Sequence, residues 1–472
     1  MSGLFLDAGL LDRLVGEARA VPRLRAHHKL HADMSAPAHR LLVAMEPDSY
    51  VRPHCHLDPA KAETIIVLRG RLGAARTLAA SGERVRLADL TALKAAGEYE
   101  VVVEGLPRSP RLRIAPDAYV ELTAAALKAF YFNRASTPLL PEHAGPWARA
   151  AGHADDHVLV HASAAGPGRP EGAVIRAPKG WYDAGDFNKY VVNSGITVYT
   201  LLAAWEHFPE VFRAQRLNIP ESGNELPDVL DEVLWNLEWM LDMQDPADGG
   251  VYHKLTNKSF DGVVMPAEAR GERYVVQKST AAALDFAAVM AQASRVFAPF
   301  EAQRPGLAAR MQAAARRAWD WAQAHPRAVY RQPPDIRTGG YDDEQLDDEF
   351  AWAGVELWVS TGEARYLPDL AQLGLSVPGW GDVKGLAWVT LGQHRDKLSQ
   401  NDSVVYQARL MSFAQHHVSL WQASADRVGA RFVAIVREDG TVLKDMDSSA
   451  QQIVEGGADA VVAAVQRGMG SL

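Results

Sequence analysis

The sequence predicts a multidomain α+β protein in which short strands precede a large helical region. Up to about residue 115 the clearest pattern is alternation, as in the stretch Glu98-Tyr-Glu-Val-Val-Val-Glu104. From about residue 116 to 395 apolar residues recur at helical spacing. The last block, 396–472, changes character again. We therefore divide the chain into segments 1–83, 84–115, 116–395 and 396–472.

Composition excludes several classes of protein. The chain has 472 residues, 48% of them hydrophobic and 23% charged, which is typical of a protein with a large core. A formal net charge of −9 argues against nucleic acid or an anionic membrane as partner. No apolar run reaches membrane-spanning length, and the first residues do not resemble a signal peptide. With one cysteine, Cys55, no intrachain disulfide can form. These features predict a cytoplasmic location.

The first two segments favour strands after one short helix. Apolar spacing predicts an amphipathic helix over Leu10–Ala20. Strands are expected at 50–51 and 64–68, and then over Glu98–Glu104 and Arg111–Ile114.

The third segment carries the strongest helical pattern. Between Asp228 and Met243, Val229, Val233 and Leu237 lie on one stripe, and Pro227 precedes the helix. Similar patterns predict helices over Tyr119–Phe130, Gly195–Phe208, Ser279–Phe297, Ala308–His325 and Glu344–Thr361. The long polar loops between such helices are where we expect the chemistry.

The fourth segment reads as an α/β tail of unclear origin. Strands over Arg431–Val436 and 441–443 flank Glu438-Asp-Gly440, which is a hairpin turn signal. A short helix is expected over Ala458–Arg467.

The strongest chemical signal is the string Gly180-Trp-Tyr-Asp-Ala-Gly-Asp-Phe-Asn-Lys-Tyr190. Asp183 and Asp186 lie three apart in a glycine-punctuated turn, next to Trp181 and Tyr182. Paired carboxylates can bind and deprotonate a water molecule, while aromatic faces can hold a sugar ring. The alternative is that the two aspartates only cap a helix near Phe187.

This loop resembles the Asp-Ala-Gly-Asp loop of glycoside hydrolase family nine, which comprises endoglucanases and related cellulases. The resemblance continues in order from about residue 87 to 391. It includes Asn218-Ile-Pro-Glu-Ser-Gly-Asn224, Gly250-Val-Tyr-His-Lys-Leu255, Asp347-Asp-Glu-Phe-Ala-Trp352 and Trp380-Gly-Asp-Val-Lys-Gly-Leu386. The resemblance implies that residues 84–115 are immunoglobulin-like strands. It also implies that residues 116–395 form an incomplete six-hairpin (α/α) barrel.

The same resemblance implies an inverting mechanism. Asp186 would be the general base, and Asp183 would help to hold the attacking water. The family's general acid is a glutamate near the C-terminus, and its usual sequence context is not found. Glu455 is the one late glutamate in a remotely similar setting. We therefore expect an enzyme with impaired hydrolysis, since loss of a general acid costs about 10²–10⁴-fold in rate.

Further residues are candidates for substrate or metal contact. His253 resembles a substrate-binding histidine of the family, although a lone histidine is as often structural. Tyr341, Trp352 and Trp380 are candidate sugar platforms, with a core role as the alternative for each tryptophan. Calcium is a candidate ligand at Ser222, Gly223 and the acids after Pro227, where helix capping would give the same string.

The first segment contains His54-Cys-His56 followed by Glu63. Two imidazoles one residue apart on a strand point to the same side, and Glu63 can join them to chelate one divalent metal. Together with its surroundings this string resembles a bacterial cupin, which implies a partial cupin-like β block over 1–83. The alternative is a histidine-rich polar strand surface.

Three functions follow from these patterns. The first is a cellulase-type hydrolase of β-1,4-glucan that requires no cofactor for hydrolysis. The second is a non-catalytic glucan-binding protein, and the third is a cupin-type metal-binding protein. The family is mostly exported, which stands against the cytoplasmic location predicted above.

Overall fold

The computed structural model describes residues 8–21, 25–29, 41–45, 75–77, 84–86, 95–100 and 111–428. The chain divides into two compact units, residues 1–74 and 75–472. In the first unit, helix α1 (Ala8–Arg19) accompanies an antiparallel pair of strands, β1 (Arg25–Lys29) and β2 (Leu41–Met45). Leu14, Ala18 and Ala26 form its described core.

The second unit is mainly helical. Its described helices are α2 (Val120–Phe132), α3 (Pro141–Ala144), α4 (Val191–His207), α5 (Pro209–Ala214), α6 (Asp228–Asp242), α7 (Thr280–Phe297), α8 (Leu307–Ala324), α9 (Asp347–Thr361), α10 (Lys384–Gln393) and α11 (Gln400–Val428). Helix α7 lies at the centre, since it packs against α4, α8 and α9.

The apolar sequence of helix α7 reflects its buried position and is not a sign of a membrane span. Residues Thr280–Phe300 are long and apolar enough to cross a bilayer by composition, but 89% of an 18-residue window within them is buried inside the protein. Small side chains such as Ala283, Ala287 and Ala291 let the neighbouring helices approach it closely. The stretch is therefore the central core helix of the described barrel region.

Short strands accompany these helices. They are β3 (Ala75–Thr77), β4 (Arg84–Arg86), β5 (Gly97–Tyr99), β6 (Leu112–Ile114), β7 (Val158–Val160), β8 (Val174–Ile175), β9 (Lys189–Tyr190), β10 (Lys254–Thr256) and β11 (Arg273–Val275). Strands β3 and β4 pair with each other, as do β5 and β6. The last five form one sheet in the order β8-β7-β11-β10-β9, which lies beside the helices and carries the loops described below.

The six helices predicted between 116 and 395 all form, with ends within a few residues of expectation except for the start of α4, which begins at Val191 rather than Gly195. The helix predicted over Leu10–Ala20 is confirmed as α1. Helices α10 and α11 were not predicted. The first part of the expected α/β tail is thus a single helix over Gln400–Val428. The hairpin and helix expected after it lie outside the described residues, as do the strands expected at 50–51 and 64–68.

Candidate active site

The two aspartates lie on the loop that joins β8 to β9. Asp183 and Asp186 are each half-buried, while Ala184 and Gly185 between them are exposed. The turn therefore presents both carboxylates at a surface that a ligand can reach, and it is not sealed inside the core.

The start of this loop is attached to helix α6. The indole N–H of Trp181 donates to Glu232 at 2.8 Å, and its backbone N–H donates to Asn236 at 3.1 Å. Gly180 has φ +81°, and a Cβ there would lie 2.8 Å from Trp239. Only glycine fits this approach to the helix.

The end of the loop is fixed by a buried ion network. Asp155 lies 2.8 Å from the ammonium of Lys189 and 3.0 Å from the guanidinium of Arg273. Arg273 also donates to the carbonyl oxygen of Phe187 at 2.8 Å. Burial alone would raise the pKa of Asp155, but the two cations hold this pKa below its usual value. Strand β9 then continues directly from the turn and pairs with β10.

A small aromatic cluster supports the turn. The hydroxyl of Tyr182 lies 2.8 Å from Nδ1 of His153, and both rings contact Phe187. Burial lowers the pKa of His153 to about 4, so this imidazole is neutral at ordinary pH.

Each aspartate accepts two hydrogen bonds from neutral donors. Asp186 accepts from the amide of Asn188 and, at 2.8 Å, from the hydroxyl of Tyr190. Asp183 accepts from the amide of Asn193 at 3.1 Å and from the hydroxyl of Tyr341 at 2.6 Å. Donors of this kind fix the orientation of a carboxylate.

Two of these donors depend on one segment, residues 338–341, which we call the 338–341 strap. The backbone N–H of Gly339 donates to the hydroxyl oxygen of Tyr190 at 3.1 Å, and Tyr341 at the end of the strap reaches Asp183. Tyr341 has φ +53°, a left-handed conformation that a tyrosine adopts only when its surroundings impose it. The strap thus links the surroundings of both aspartates.

Two adjacent residues hold the strap in place: His253, which directly precedes β10, and Lys254, the first residue of β10. Nε2 of His253 lies 2.8 Å from the carbonyl oxygen of Gly340. The ammonium of Lys254 donates to the hydroxyl of Thr338 at 3.0 Å and to the carbonyl oxygen of Gly339.

Aromatic rings line the surface beside the carboxylates. The ring of Tyr341 meets Tyr190 edge-on with centroids 4.7 Å apart, and it meets Trp380 edge-on at 5.2 Å. Trp380 is 45% exposed. Exposed aromatic faces next to paired carboxylates can hold a sugar ring while a water molecule is deprotonated.

A family model settles the classification. The model described as glycosyl hydrolase family 9 matches residues 119–468, which is more than half of the chain. The chain belongs to this family. Its catalytic domain has an (α/α)₆ barrel fold, which the high helical content of residues 120–428 agrees with.

Relatives of known structure and sequence support the assignment to family 9. The chain is 44% identical over 339 residues to a xyloglucan-specific endo-β-1,4-glucanase, BoGH9A, of Bacteroides ovatus, covering 69% of this chain and 57% of that protein. It is 32% identical to endoglucanase D of Acetivibrio thermocellus, covering 65% and 49%. The chain thus spans about half the length of these curated relatives. The solved structure of a Bacteroides ovatus GH9 protein superimposes with a TM-score of 0.71 and 42% identity, covering 78% of this chain and 68% of that one.

The first segment matches a different model, described as a domain of unknown function (DUF6016), over residues 6–85. These comparisons do not support the cupin-like block. Its expected metal ligands His54, His56 and Glu63 lie outside the described residues, so the metal site stays a prediction. The immunoglobulin-like assignment of 84–115 likewise stays a prediction, because the described part of that segment gives only β4 and the β5–β6 pair.

Several predicted substrate contacts need correction. Trp352 on helix α9 is 0% exposed and packs edge-on against Tyr199. It is therefore a core residue and not a sugar platform. Trp181, Tyr182 and His253 are also buried, and each holds the loop or the strap through the hydrogen bonds given above. Of the predicted platforms, only Tyr341 and Trp380 lie at the surface beside the carboxylates.

The sequence did not identify Asn188, Asn193, Lys254 or the strap. The helical phase of Asn193 in the first turn of α4 could have shown that it faces back towards Asp183. No pattern in the sequence indicates the strap, because it reaches Tyr190 across almost 150 positions.

Calcium at Ser222, Gly223 and the acids after Pro227 stays a prediction. The hydroxyl of Ser222 donates to Asp228 at 2.6 Å, and Asp231 is paired with Asn224 and with the guanidinium of Arg304 at 3.3 Å. One oxygen of Asp228 and one of Asp231 accept no hydrogen bond from the described residues. The described residues contain no group of three or more metal-ligating side chains.

One groove among the described residues, about 740 Å³ in volume, contains neither aspartate. It lies against β7, β11 and residues 331–335. In this groove Asp335 lies 2.9 Å from the ammonium of Lys258 and 3.2 Å from Nε2 of His161. Geometry and chemistry favour the shallower aromatic surface around Asp183 and Asp186 as the active site.

Proposed function

We propose that this chain is a cellulase-type glycoside hydrolase that cleaves β-1,4-glucan with inversion at the anomeric carbon. The observation that carries the proposal is the pair Asp183 and Asp186, each accepting two hydrogen bonds at a surface lined by Tyr341 and Trp380. Membership of family 9 and the relatives named as β-1,4-glucanases support it.

In the proposed reaction Asp186 is the general base and Asp183 orients the water. The water oxygen attacks the anomeric carbon while its proton passes to Asp186, and the bond from that carbon to the glycosidic oxygen breaks. The leaving oxygen takes a proton from a carboxylic acid on the opposite side, roughly 6.5–9.5 Å away in inverting enzymes. The reaction uses water and two carboxyl groups, and it requires no cofactor.

The general acid is assigned to none of the described residues. The family model continues to residue 468, beyond the last described residue. That stretch contains two glutamates, Glu438 and Glu455. We propose that the acid is to be sought there, with Glu455 as the first candidate. An enzyme without it would retain substrate binding with hydrolysis reduced by about 10²–10⁴-fold.

The substrate is proposed to be an internal stretch of β-1,4-linked glucan. A relative at 44% identity carries a name specific for xyloglucan, so decorated and undecorated chains both belong in the test. The ring of Trp380 and the edge of Tyr341 offer apolar surface to the CH face of a glucosyl unit. A net charge of −9 favours a neutral polymer over an anionic one.

The test compares the release of reducing sugar from two neutral soluble polymers, xyloglucan and hydroxyethylcellulose, by the full chain and by Asp186→Asn. We expect Asp186→Asn to abolish hydrolysis but to keep oligosaccharide binding, measured by calorimetry. Asp320→Asn, an exposed position on α8, is the matched control and should behave as the unmodified chain.

Two outcomes would contradict the proposal. Oligosaccharide binding by the unmodified chain without any hydrolysis would favour the non-catalytic glucan-binding protein. Equal activity in Asp186→Asn and the unmodified chain would remove Asp186 from the reaction.

A further inference from the structure

Lys254 is a buried cation that forms no ion pair within 4 Å among the described residues. Its side chain is 0% exposed. The ammonium donates to Gln332 at 2.9 Å, to the Thr338 hydroxyl at 3.0 Å and to the Gly339 carbonyl oxygen. Three neutral oxygens thus satisfy its three N–H donors.

The other fully buried lysine of this region is built differently. Lys189 also lies at 0% exposure, but Asp155 compensates its charge at 2.8 Å. Burying a charge without a close counter-ion is costly and needs a reason beyond packing. For Lys254 the surroundings are instead the faces of Tyr190 and Tyr330, 5.6 and 5.5 Å from the ammonium.

The hydrogen bonds of Lys254 lead to both aspartates. Lys254 holds the carbonyl oxygen of Gly339, the N–H of the same residue donates to Tyr190, and Tyr190 donates to Asp186. Two residues further along the strap, Tyr341 donates to Asp183. The backbone of Gly339 and the side chain of Tyr190 thus connect the ammonium to the proposed base, and Asp186 is the charged group whose field it feels.

We propose that Lys254 is a positioning residue that, as an ammonium ion, holds the 338–341 strap against Tyr190 and Asp183, and that its deprotonation limits hydrolysis on the alkaline side. The proposal rests on the proposed function, since it concerns the same two aspartates.

The chemistry of the amine gives the reason. An ammonium offers three N–H donors to the three oxygens around it, whereas the neutral amine offers two and turns a lone pair towards the third. Loss of the proton also removes the attraction to Asp186. A displacement of the strap of a few tenths of an ångström would move Tyr341 and Tyr190, and catalysis is sensitive to such displacements.

Electrostatics agrees with this geometry. Burial lowers the pKa of Lys254 to about 7, and the charge of Asp186 opposes that shift. The other titratable groups that face it do not change protonation near neutral pH. Burial lowers the pKa of His253 to about 4, and burial raises the pKa of Tyr190 and of Tyr330.

The test is the pH dependence of kcat in the full chain and in two variants. Lys254→Arg keeps its charge to high pH, so the alkaline limb should move upward by about one pH unit or more. Lys254→Met should lower kcat about tenfold at the optimum, with KM little changed, and should lose the lysine-dependent limb. Lys278→Met, which removes a lysine paired with Asp245 and Asp248, is the control and should keep the limb of the unmodified chain.

An alkaline limb that is the same in all four proteins would overturn the proposal, because the limb would then belong to another group such as the general acid. Thermal melts accompany the kinetics. A variant of Lys254 that does not fold is replaced by Thr338→Val, which removes one acceptor of the ammonium and should move the alkaline limb to lower pH.

A second measurement does not need activity. Lysines labelled at Nζ are titrated by NMR, with the Lys254 signal assigned from its absence in Lys254→Met. Asp186→Asn should move the Lys254 titration to lower pH, because a nearby negative charge is removed. No hydrolysis by the unmodified chain with this shift present would refute the proposed function alone. No shift would refute the link between Lys254 and Asp186.

Discussion

The hydroxyl of Tyr341 donates a 2.6 Å hydrogen bond to Oδ2 of Asp183, across 158 positions of the sequence. Burial raises the pKa of Tyr341 to about 12, so its hydroxyl keeps its proton and remains a donor at ordinary pH. This hydrogen bond links the 338–341 strap to Asp183, the carboxylate that we propose orients the attacking water.

Removing that hydroxyl should impair the reaction more than the fold. We expect Tyr341→Phe to lower kcat about 10-fold, because Asp183 loses its shortest hydrogen bond while the ring still contacts Trp380. The measurement is kcat and KM on a soluble β-1,4-glucan. Tyr366→Phe removes a hydroxyl that accepts from Arg365 in the core, and it should leave kcat unchanged. Equal effects of the two substitutions would contradict the role of Tyr341.

Two tryptophans that sequence patterns treat alike should behave differently. Trp380→Ala should weaken oligosaccharide binding by about 1–3 kcal/mol with little loss of stability, because its ring is 45% exposed beside Tyr341.

Trp352→Ala should destabilise the fold by about 3–5 kcal/mol, because it empties a fully buried site against Tyr199. Calorimetry with cello-oligosaccharides and urea unfolding measure the two effects separately. The assignment of Trp352 to the core would be wrong if Trp352→Ala kept the stability and lost the binding.

Arg295 joins three helices through two carboxylates. Its guanidinium on α7 lies 2.6 Å from Glu206 on α4 and 2.5 Å from Glu356 on α9. Arg295→Met would leave two acids without their cation, and we expect a loss of about 3–5 kcal/mol in the free energy of unfolding. Urea unfolding at pH 6 measures it. Arg331→Met, which breaks an exposed pair with Glu344, is the control and should change stability by less than about 1 kcal/mol.

The same cluster gives a pH dependence with a defined sign. Burial alone would raise the pKa of Glu206, but the nearby imidazole of His394 and the guanidinium of Arg295 lower it to about 2. A group whose pKa is lower in the folded state stabilises the fold above its unfolded pKa, and the contribution is lost as the pH falls through the folded one. Stability should therefore fall between about pH 4.5 and 2, and this part of the fall should be smaller in Arg295→Met.

Gly180 should tolerate no side chain. Alanine there would adopt φ +81° and place its Cβ 2.8 Å from the ring of Trp239. We expect Gly180→Ala to cost about 2–4 kcal/mol in stability. Gly185→Ala, in the same loop with nothing within 4 Å of the new Cβ, should leave the melting temperature unchanged. Melting both variants by circular dichroism checks the difference, and similar melting temperatures would show that the loop does not depend on this approach.

Periodic features were the predictable part of the fold. The apolar stripe at Val229, Val233 and Leu237 predicted α6 with nearly correct ends, because all three side chains are buried in the core as the spacing requires. The Asp183–Asp186 turn was likewise found from its residues and lies at the surface. The interpretation of Trp352 as a sugar platform was wrong, because an aromatic residue on a helix gives the same sequence pattern whether it faces the core or a cleft.

Contacts between distant segments were the unpredictable part. The strap reaches Tyr190, His253 and Lys254 from 80 to 150 positions away, and its conformation depends on the left-handed φ of Tyr341. A histidine and a lysine in sequence do not reveal that both hydrogen-bond the strap. Helix α10 was missed because it is only 10 residues long, and so short a helix gives a weak periodic pattern of apolar residues.

The buried network of Asp155, Lys189 and Arg273 has a consequence for the proposed binding of a polysaccharide. Arg273 of this network holds the backbone carbonyl of Phe187, so Asp183 and Asp186 are positioned when the chain folds. Substrate binding would then need little further ordering of the protein. The entropic cost of association then falls mainly on the flexible glucan. Stiff, extended glucan chains should consequently bind with a smaller loss of conformational entropy than flexible, coiled ones.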